Sequence, residues 1–433
     1  MKDAGFRNGL EIFAGDGTET HEVYRSARAT RSDETLAELH SRLSGKRVAV
    51  LTHPAAVDAD LTHSVERLLR WNESRPVSQR FSVTALFGPQ HGFAGERQDN
   101  MIESDDAHDG KLGLPVFSLY GDTRRITRKM AEHFDVLLYD LQDVGVRVYT
   151  FLTTLAYVLT DFHDWNDKEL VVLDRPVPTG RAVEGLVLES GWESFVGCAP
   201  IPLQHGLTVG EFALWYVASQ KLDTALSVVP MKAWTPDTDN CWPVERVWIP
   251  PSPNMPGVHT ARAYPGTVML EGTTISEARG TTRPLSMFGH PDIDWTRVIG
   301  YMRGFAPPVF EGFALRPIVF EPTFHKHAHR ATPGFDMVVE KTHFRAARFR
   351  PVRFFAALFR AVVHIHPDLQ LWIAPPYEYE HERLPIDVIC GGTSFRTWVE
   401  SDESFQVLDE KMRTEESQWI RASAAAKIYG EAS

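Results

Sequence analysis

Cysteine is scarce: Cys198, Cys241 and Cys390 are the three in 433 residues, odd in number and far apart. No C-x-x-C pair and no Cys/His zinc spacing occurs, which argues against a disulfide framework and against structural zinc. Long apolar runs are missing too. No stretch approaches the ~20 residues needed to span a bilayer. The opening ten residues lack an apolar core followed by a small-residue cleavage site, so a soluble, cytoplasmic protein is expected. Basic charge is in deficit: 45 Lys and Arg against 57 Asp and Glu leave a net charge of −12. That sign disfavours nucleic acid or an anionic membrane as the main partner. There is no G-x-G-x-x-G after the first strand and no G-x-x-x-x-G-K-[ST], so nicotinamide or nucleoside-triphosphate chemistry has no support. The absence of a G-x-S-x-G elbow weakens a serine hydrolase.

What is present is an ordinary globular composition, 43% hydrophobic and 24% charged, in a chain long enough for two or three domains. Residues 1–45 are polar and read as an N-terminal extension with an amphipathic helix over Ser32–Leu43, Ser32 as its N-cap. Short, continuously apolar segments then alternate with helical patterns. Strands are expected at Lys46–Thr52, Ser82–Phe87, Asp135–Asp140 and Glu169–Asp174, with helices near Leu61–Trp71, Arg124–His133 and Val148–His163. Strands apolar on both faces, separated by helices, predict an α/β fold with a parallel sheet covered on both sides. The proline-rich Trp248-Ile-Pro-Pro-Ser-Pro-Asn-Met-Pro256 can be neither helix nor central strand and reads as a rigid connector, with Trp248 and Tyr264 packing it. The division is therefore a catalytic domain over 46–250, a smaller α+β domain over 251–402 and a tail over 403–433.

Ligands of parallel sheets bind beyond the carboxyl ends of the strands. The ends Thr52-His53, Gly88-Pro-Gln-His91, Asp140-Leu-Gln-Asp143 and Asp174-Arg175 all deliver polar groups to one rim. Asp143, Arg147 and Tyr149 follow one strand, as a helix-start cap or as site residues. Asp174 and Arg175 could hold a substrate's hydroxyl or carboxylate, or could stitch loops together. His205 and Glu211 could do acid–base work, though Glu211 stands at capping-box spacing from Thr208. Glu277 and Arg279 lie in a loop rich in hydroxyls and glycine, suited to a polyol or an acid. Phe324-His-Lys-His-Ala-His-Arg330 spaces its histidines for chelation but brings no carboxylate or cysteine, and reads as a solvated loop. No metal or cofactor is expected. Abundant carboxylates, His and Arg among aromatic residues suit a glycosidase, which needs an acid and a base or nucleophile.

As an ordered set, the motifs Gly88-Pro-Gln-His-Gly-Phe, Asp140-Leu-Gln-Asp-Val-Gly-Val-Arg-Val-Tyr-Thr, Leu173-Asp-Arg-Pro, Ser194-Phe-Val-Gly and His205-Gly-Leu-Thr-Val-Gly-Glu are followed by Pro250-Pro-Ser-Pro-Asn-Met-Pro, Tyr264-Pro-Gly, Glu271-Gly-Thr and Ser276-Glu-Ala-Arg-Gly-Thr-Thr. Over roughly residues 46–400 the chain resembles the NamZ family of exo-β-N-acetylmuramidases. The resemblance implies a Rossmann-like N-terminal catalytic domain and a smaller C-terminal domain that completes the cleft. It implies release of terminal N-acetylmuramic acid from peptidoglycan fragments without a cofactor; cytoplasmic use would fit cell-wall recycling. Arg147, Arg175 or Arg279 would then have the lactyl carboxylate to hold, and Ser252 and Asn254 join Tyr149, Asp174, His205 and Glu277 as substrate-binding candidates.

The chain departs from the family pattern at three positions. Gln90 stands where the family's catalytic Glu is expected, beside His91. Gln204 stands where relatives tend to have Arg, and Ala278 where they tend to have Gly. An amide cannot act as a general acid near neutral pH. Either a nearby carboxylate (Glu96, Glu103 or Asp143) takes over, or the chemistry is altered or lost. A silent carbohydrate-binding homologue, or an enzyme acting on another acidic sugar, are the corresponding alternatives.

Overall fold

The structure is a computed structural model and describes residues 5–17, 19–27, 30–95, 103–236, 239 and 241–430. The first strands are β1 (Glu22–Ala27), β2 (Thr30–Thr35), β3 (Arg47–Thr52), β4 (Ser82–Gly88), β5 (Ala107–Asp109) and β6 (Leu114–Ser118). They are followed by β7 (Val136–Asp140), β8 (Glu169–Leu173), β9 (Val183–Val187), β10 (Pro202–His205) and β11 (Ala225–Val229). Among the described residues nine of these form one sheet, in the order β2-β1-β11-β8-β7-β3-β4-β6-β5. The pairings from β11 to β6 are all parallel, while β1, β2 and β5 run antiparallel at the edges. The apolar runs are two-sided because successive side chains leave a strand on opposite faces. Val48, Val50, Val136, Leu138, Val171 and Leu173 pack against Leu10, Phe13, Leu39 and Leu68 on one face. Ala49, Leu51, Leu137, Tyr139, Leu170 and Val172 pack on the other against the helices Phe151–Trp165 and Val209–Gln220.

Residues 1–45 are not an extension. Strand β1 joins the sheet beside β11, β2 folds back on β1, and the short helix Gly9–Phe13 packs beneath β8 and β11. Ser32 is correspondingly not an N-cap but a strand residue opposite Arg25. The cap is Thr35, whose side chain accepts from the Glu38 N–H while Glu38 accepts from that of Thr35. The expected box at Thr208 and Glu211 is present as read.

The C-terminal part is built on a three-stranded sheet, β12 (Met287–Gly289), β13 (Ala314–Phe320) and β14 (Thr332–Val338), in the order β12-β14-β13. The long helix Pro351–Ile365 lies against it and buries twelve of its residues, from Pro351 to Val362. Its core is continuous with that of the second face of the large sheet. The proline-rich connector carries no regular element, and the Trp248 indole donates to the Met255 carbonyl (2.8 Å), packing it as expected. Nor are residues 403–433 a free tail: the helix Phe405–Ser423 packs on the β9–β10 hairpin. No described helix is long and apolar enough to cross a membrane.

One buried arginine fastens three parts together. Arg353, in the first turn of Pro351–Ile365, reaches Asp409 (2.6 Å) and Glu416 (2.7 Å) of the last helix and Glu184 (3.5 Å) of β9. Glu184 also accepts from the N–H groups of Val352 and Arg353, a carboxylate set where the helix dipole favours it. Removing one partner of a buried ion pair costs ~3–5 kcal/mol because the other charge is left uncompensated. Arg353→Met is therefore expected to lower stability by about that amount in thermal or denaturant unfolding. Arg353→Met with Glu184→Gln should recover part of the loss, since the stranded carboxylate is gone.

Candidate active site

Four neighbouring strands, β8, β7, β3 and β4, end on the same rim. The order reverses between β3 and β7, the switch point at which parallel sheets commonly open a crevice. Here the strand-end side chains bond one another, and a cavity bordered by Val57, Gln142 and Arg175 lies beside them. The His53 Nε2 accepts from the Gln142 N–H at 2.9 Å, its carbonyl accepts from His63 at 3.1 Å, and burial holds its imidazole well below the ordinary range. Arg175 forks onto both oxygens of Asp140, with Nη2 to Oδ2 at 2.9 Å, and reaches the Val57 carbonyl (2.9 Å). Asp174 accepts from the N–H groups of Arg175 and Gly210, the Thr208 hydroxyl (2.6 Å) and the Tyr429 phenol (2.7 Å). Burial nevertheless pushes its carboxyl up to about 6. Both residues serve the fold rather than a substrate: of the two readings open to Asp174 and Arg175, the stitching one describes their contacts.

The open space lies to the side, beyond β4, where the two halves of the molecule meet. A pocket with about 410 Å³ of empty volume, mouth included, is walled by Gln90, His91 and Tyr149–Thr150 from the first half. Ser252 and Asn254 come from the connector, Tyr264 from the helix Val258–Thr267, and Glu271, Arg279, Tyr377 and Glu378 from beyond it. Of the binding candidates, Tyr149, Ser252, Asn254 and Arg279 are thus brought together with Gln90 and His91. Ser252 sits beside the Tyr149 hydroxyl. Tyr264 does more than pack the connector, since it borders this pocket with its ring at 87° to that of Tyr149, 6.0 Å away. His91 (φ 73°), Ala278 (φ 60°), Leu285 (φ 56°), Glu378 (φ 45°) and Tyr379 (φ 70°) all occupy the left-handed region around it. Such backbone costs of order 1–3 kcal/mol per residue, and it gathers where a site needs side chains aimed against local preference. Ala278, standing where relatives tend to have Gly, bears that cost directly.

The remaining candidates lie elsewhere. Arg147 is buried away from the pocket and donates to three carbonyls, Leu186 (3.0 Å), Ile201 (2.6 Å) and Ile389 (2.9 Å), joining the hairpin to the C-terminal part. Burial lowers its guanidinium to about 10. Asp143 is buried behind Tyr149; its Oδ1 accepts from the Gly145 N–H at 2.6 Å, and burial pushes it up to about 7. His205 accepts from the Leu207 N–H (3.2 Å), and burial, assisted by the charge of Arg147, depresses it to about 3, so it is a neutral core imidazole. Glu277 is encircled by Lys326 (2.8 Å), Arg279 (3.2 Å) and His325 (3.3 Å). Although burial opposes them, these charges hold it at about 2. Glu103 is exposed and accepts from the Tyr379 hydroxyl at 3.2 Å, outside the pocket wall. Glu96 lies outside the described residues.

The two carboxyls that do border the pocket are Glu271 and Glu378, and neither stands among the candidates read from the sequence. Glu271 is paired with Arg279 (2.6 Å) and accepts from the Tyr377 hydroxyl (2.8 Å). Glu378 accepts from the Gln90 amide (3.1 Å) and the Tyr120 phenol (2.8 Å), while the Thr150 hydroxyl donates to the other end of the Gln90 amide (2.7 Å). Burial, with Glu271 nearby, raises Glu378 to about 7 against those donors and Arg279. Two carboxyls in unlike environments at one pocket are the acid–base arrangement that hydrolytic sites use. The signal that could have found Glu378 is the run Pro375-Pro-Tyr-Glu-Tyr-Glu380, where prolines stiffen a loop of acids and phenols. Among the described residues no group of three or more ligating side chains could hold a metal ion.

Residues 48–259 match the model for the N-terminal part of the exo-beta-N-acetylmuramidase NamZ, and residues 262–429 match that for its C-terminal part. The chain is 37% identical over 341 residues to the peptidoglycan beta-N-acetylmuramidase NamZ of Bacillus subtilis (strain 168), covering 78% of each protein. Among solved structures it is similar to a DUF1343 family protein from Bacteroides fragilis NCTC 9343, with a TM-score of 0.78 and 27% identity over 98% of this chain and 99% of that one. A second DUF1343 family protein of the same organism shares the fold at a TM-score of 0.66 and 23% identity, over 90% and 96% of the two chains.

The buried carboxyls make stability depend on pH in a definite sense. The folded value of Asp143, about 7, lies above its ordinary 3.8. Its contribution is therefore complete below pH ~3.8 and is lost as pH rises through ~7, on the order of a few kcal/mol in all. Melting temperatures of the wild type should fall between pH 5 and pH 8, and those of Asp143→Asn should fall less. Equal drops in the two proteins would show that Asp143 does not titrate in this way.

Proposed function

The chain belongs to the NamZ family of exo-β-N-acetylmuramidases, and from that premise we propose that its pocket receives the terminal β-N-acetylmuramic acid of a peptidoglycan fragment and releases it by hydrolysis. The observation that carries this reading is the pair of carboxyls, Glu271 and Glu378, facing Gln90, His91 and Tyr149 across one small space. Glycosidases need two carboxyl groups, one to protonate the leaving oxygen and one to activate water or attack the sugar.

The lining fits that sugar. Tyr149, Tyr264 and Tyr377 offer ring faces and edges for the pyranose, and Ser252, Asn254 and His91 offer hydrogen bonds for its hydroxyl and N-acetyl groups. Arg279 is the arginine, of the three considered for the lactyl carboxylate, that borders this pocket, where it is also paired with Glu271 and Glu277. Its guanidinium is the group type that reads a carboxylate. Glu277 then acts behind the pocket, holding Arg279, while His205 and Asp174 bond other parts of the fold.

The purified protein should liberate the chromophore from an aryl β-N-acetylmuraminide and leave the matching β-N-acetylglucosaminide intact. Release from the glucosaminide alone would refute the substrate assignment. Saturable binding of N-acetylmuramic acid without any release would identify a silent sugar-binding homologue instead.

A further inference from the structure

Within the muramidase reading, on which this inference rests, we propose that Glu378 is the acid that protonates the departing glycosidic oxygen, and that Gln90 holds it in place. The amide of Gln90 has no proton to give near neutral pH, so the acid must come from another residue. Of the carboxyls near it in sequence, Glu96 lies outside the described residues, and neither Glu103 nor Asp143 faces the pocket. Glu103 is exposed outside the pocket wall, and Asp143 is sealed behind Tyr149 with one oxygen bound to the backbone. Of the two carboxyls that face the pocket among the described residues, Glu271 is salt-bridged to Arg279 and is assigned the base. Glu378 is held by a neutral amide and a neutral phenol, and burial lifts it to about 7, so that near neutrality it still carries a proton to give. Its backbone at φ 45°, followed by Tyr379 at φ 70°, keeps the carboxyl against Gln90, 288 residues away in sequence. The contact is direct, Gln90 Nε2 to Glu378 Oε1 at 3.1 Å. When Glu378 is protonated, the same amide turned over can accept from it, with Thr150 receiving the N–H in exchange.

The step balances as follows. The C1–O bond breaks with its electron pair remaining on the glycosidic oxygen, which takes the proton of Glu378 and departs as the hydroxyl of the next sugar. Water bonds to C1 through its oxygen and yields a proton to Glu271. That proton returns to the Glu378 carboxylate through solvent once the products leave.

Two muraminides distinguish this role from a structural one. The disaccharide N-acetylmuramyl-β-1,4-N-acetylglucosamine has a leaving oxygen that needs a proton; the 2,4-dinitrophenyl β-muraminide has one that does not. Glu378→Gln is expected to lower kcat on the disaccharide ~10²–10⁴-fold, the usual worth of general acid catalysis. On the dinitrophenyl glycoside the loss should be less than about tenfold, which also shows that the variant is folded. Undiminished disaccharide hydrolysis, or equal losses on both substrates, would overturn the assignment. A wild-type protein that cleaves neither muraminide would overturn the muramidase reading itself, and this assignment with it.

Tyr120→Phe supplies an independent readout. Among the described residues, the groups around Glu378 include the amide of Gln90 and the imidazole of His91, the charges of Glu271 and Arg279, and the phenols of Tyr120, Tyr264 and Tyr377. The Tyr120 hydroxyl favours the ionised carboxylate. Its removal should move the alkaline limb of kcat/KM on the disaccharide to higher pH. An unmoved limb would count against Glu378.

Discussion

The rim of the large sheet depends on a fork of two hydrogen bonds, from Arg175 to Asp140. Both residues are nearly inaccessible to solvent, at 4% and 0% exposure, and each sits at the end of a strand where apolar packing stops. A carboxylate so placed must be paired or it neutralises. The guanidinium satisfies it and, through the Val57 carbonyl, draws in the loop that follows β3. Asp174, one residue before Arg175, binds the start of the helix Val209–Gln220 and Tyr429 from near the end of the chain. The pocket that carries Glu271 and Glu378 lies beside the β4 loop, where Gln90 and His91 are not drawn into these pairings.

The parts of this architecture legible in the sequence were those with a short-range physical cause. Runs such as Val48-Ala-Val-Leu51 read as buried parallel strands because both faces are apolar, and Thr208 with Glu211 read as a capping box because three-residue spacing is enough. The strand ends likewise announced a polar rim. What local pattern could not show was which polar groups would be consumed by one another. Arg147 and Arg175 looked like ligand-binding groups and are engaged by carbonyls or a carboxylate far away in sequence, while His205 bonds the Leu207 N–H two residues on. The polar segment before residue 45 betrayed no strand because β2 is the edge strand and β1 its neighbour, both paired antiparallel, with no requirement for apolar residues on both faces.

The site itself is divided between distant segments. Gln90, Tyr120 and Thr150 follow the sheet, while Glu271, Arg279, Tyr377 and Glu378 arrive from beyond the connector. A residue's role there is set by its partners more than by its type. Glu277, Glu271 and Glu378 are three glutamates of the same half, yet Glu277 is ringed by Lys326, Arg279 and His325, Glu271 pairs with Arg279, and Glu378 accepts from the Gln90 amide and the Tyr120 phenol. The family comparison made position 90 the natural place to look for an acid. The geometry instead makes that amide the support of an acid carried by the opposite half.

The contact between Tyr429 and Asp174 bears on how the protein is made. Chains emerge from the ribosome N-terminus first, and domains usually fold in that order. Here the strands of the large sheet are complete by Val229, yet Asp174 still awaits the Tyr429 phenol, and Glu211 the N–H groups of Ile428 and Tyr429. Two buried acids of the first half therefore receive their last donors some two hundred residues later in synthesis. The first half can assemble early but is sealed only once residues 428 and 429 have been made, so until then the nascent sheet holds these carboxylates reachable by water and by chaperones.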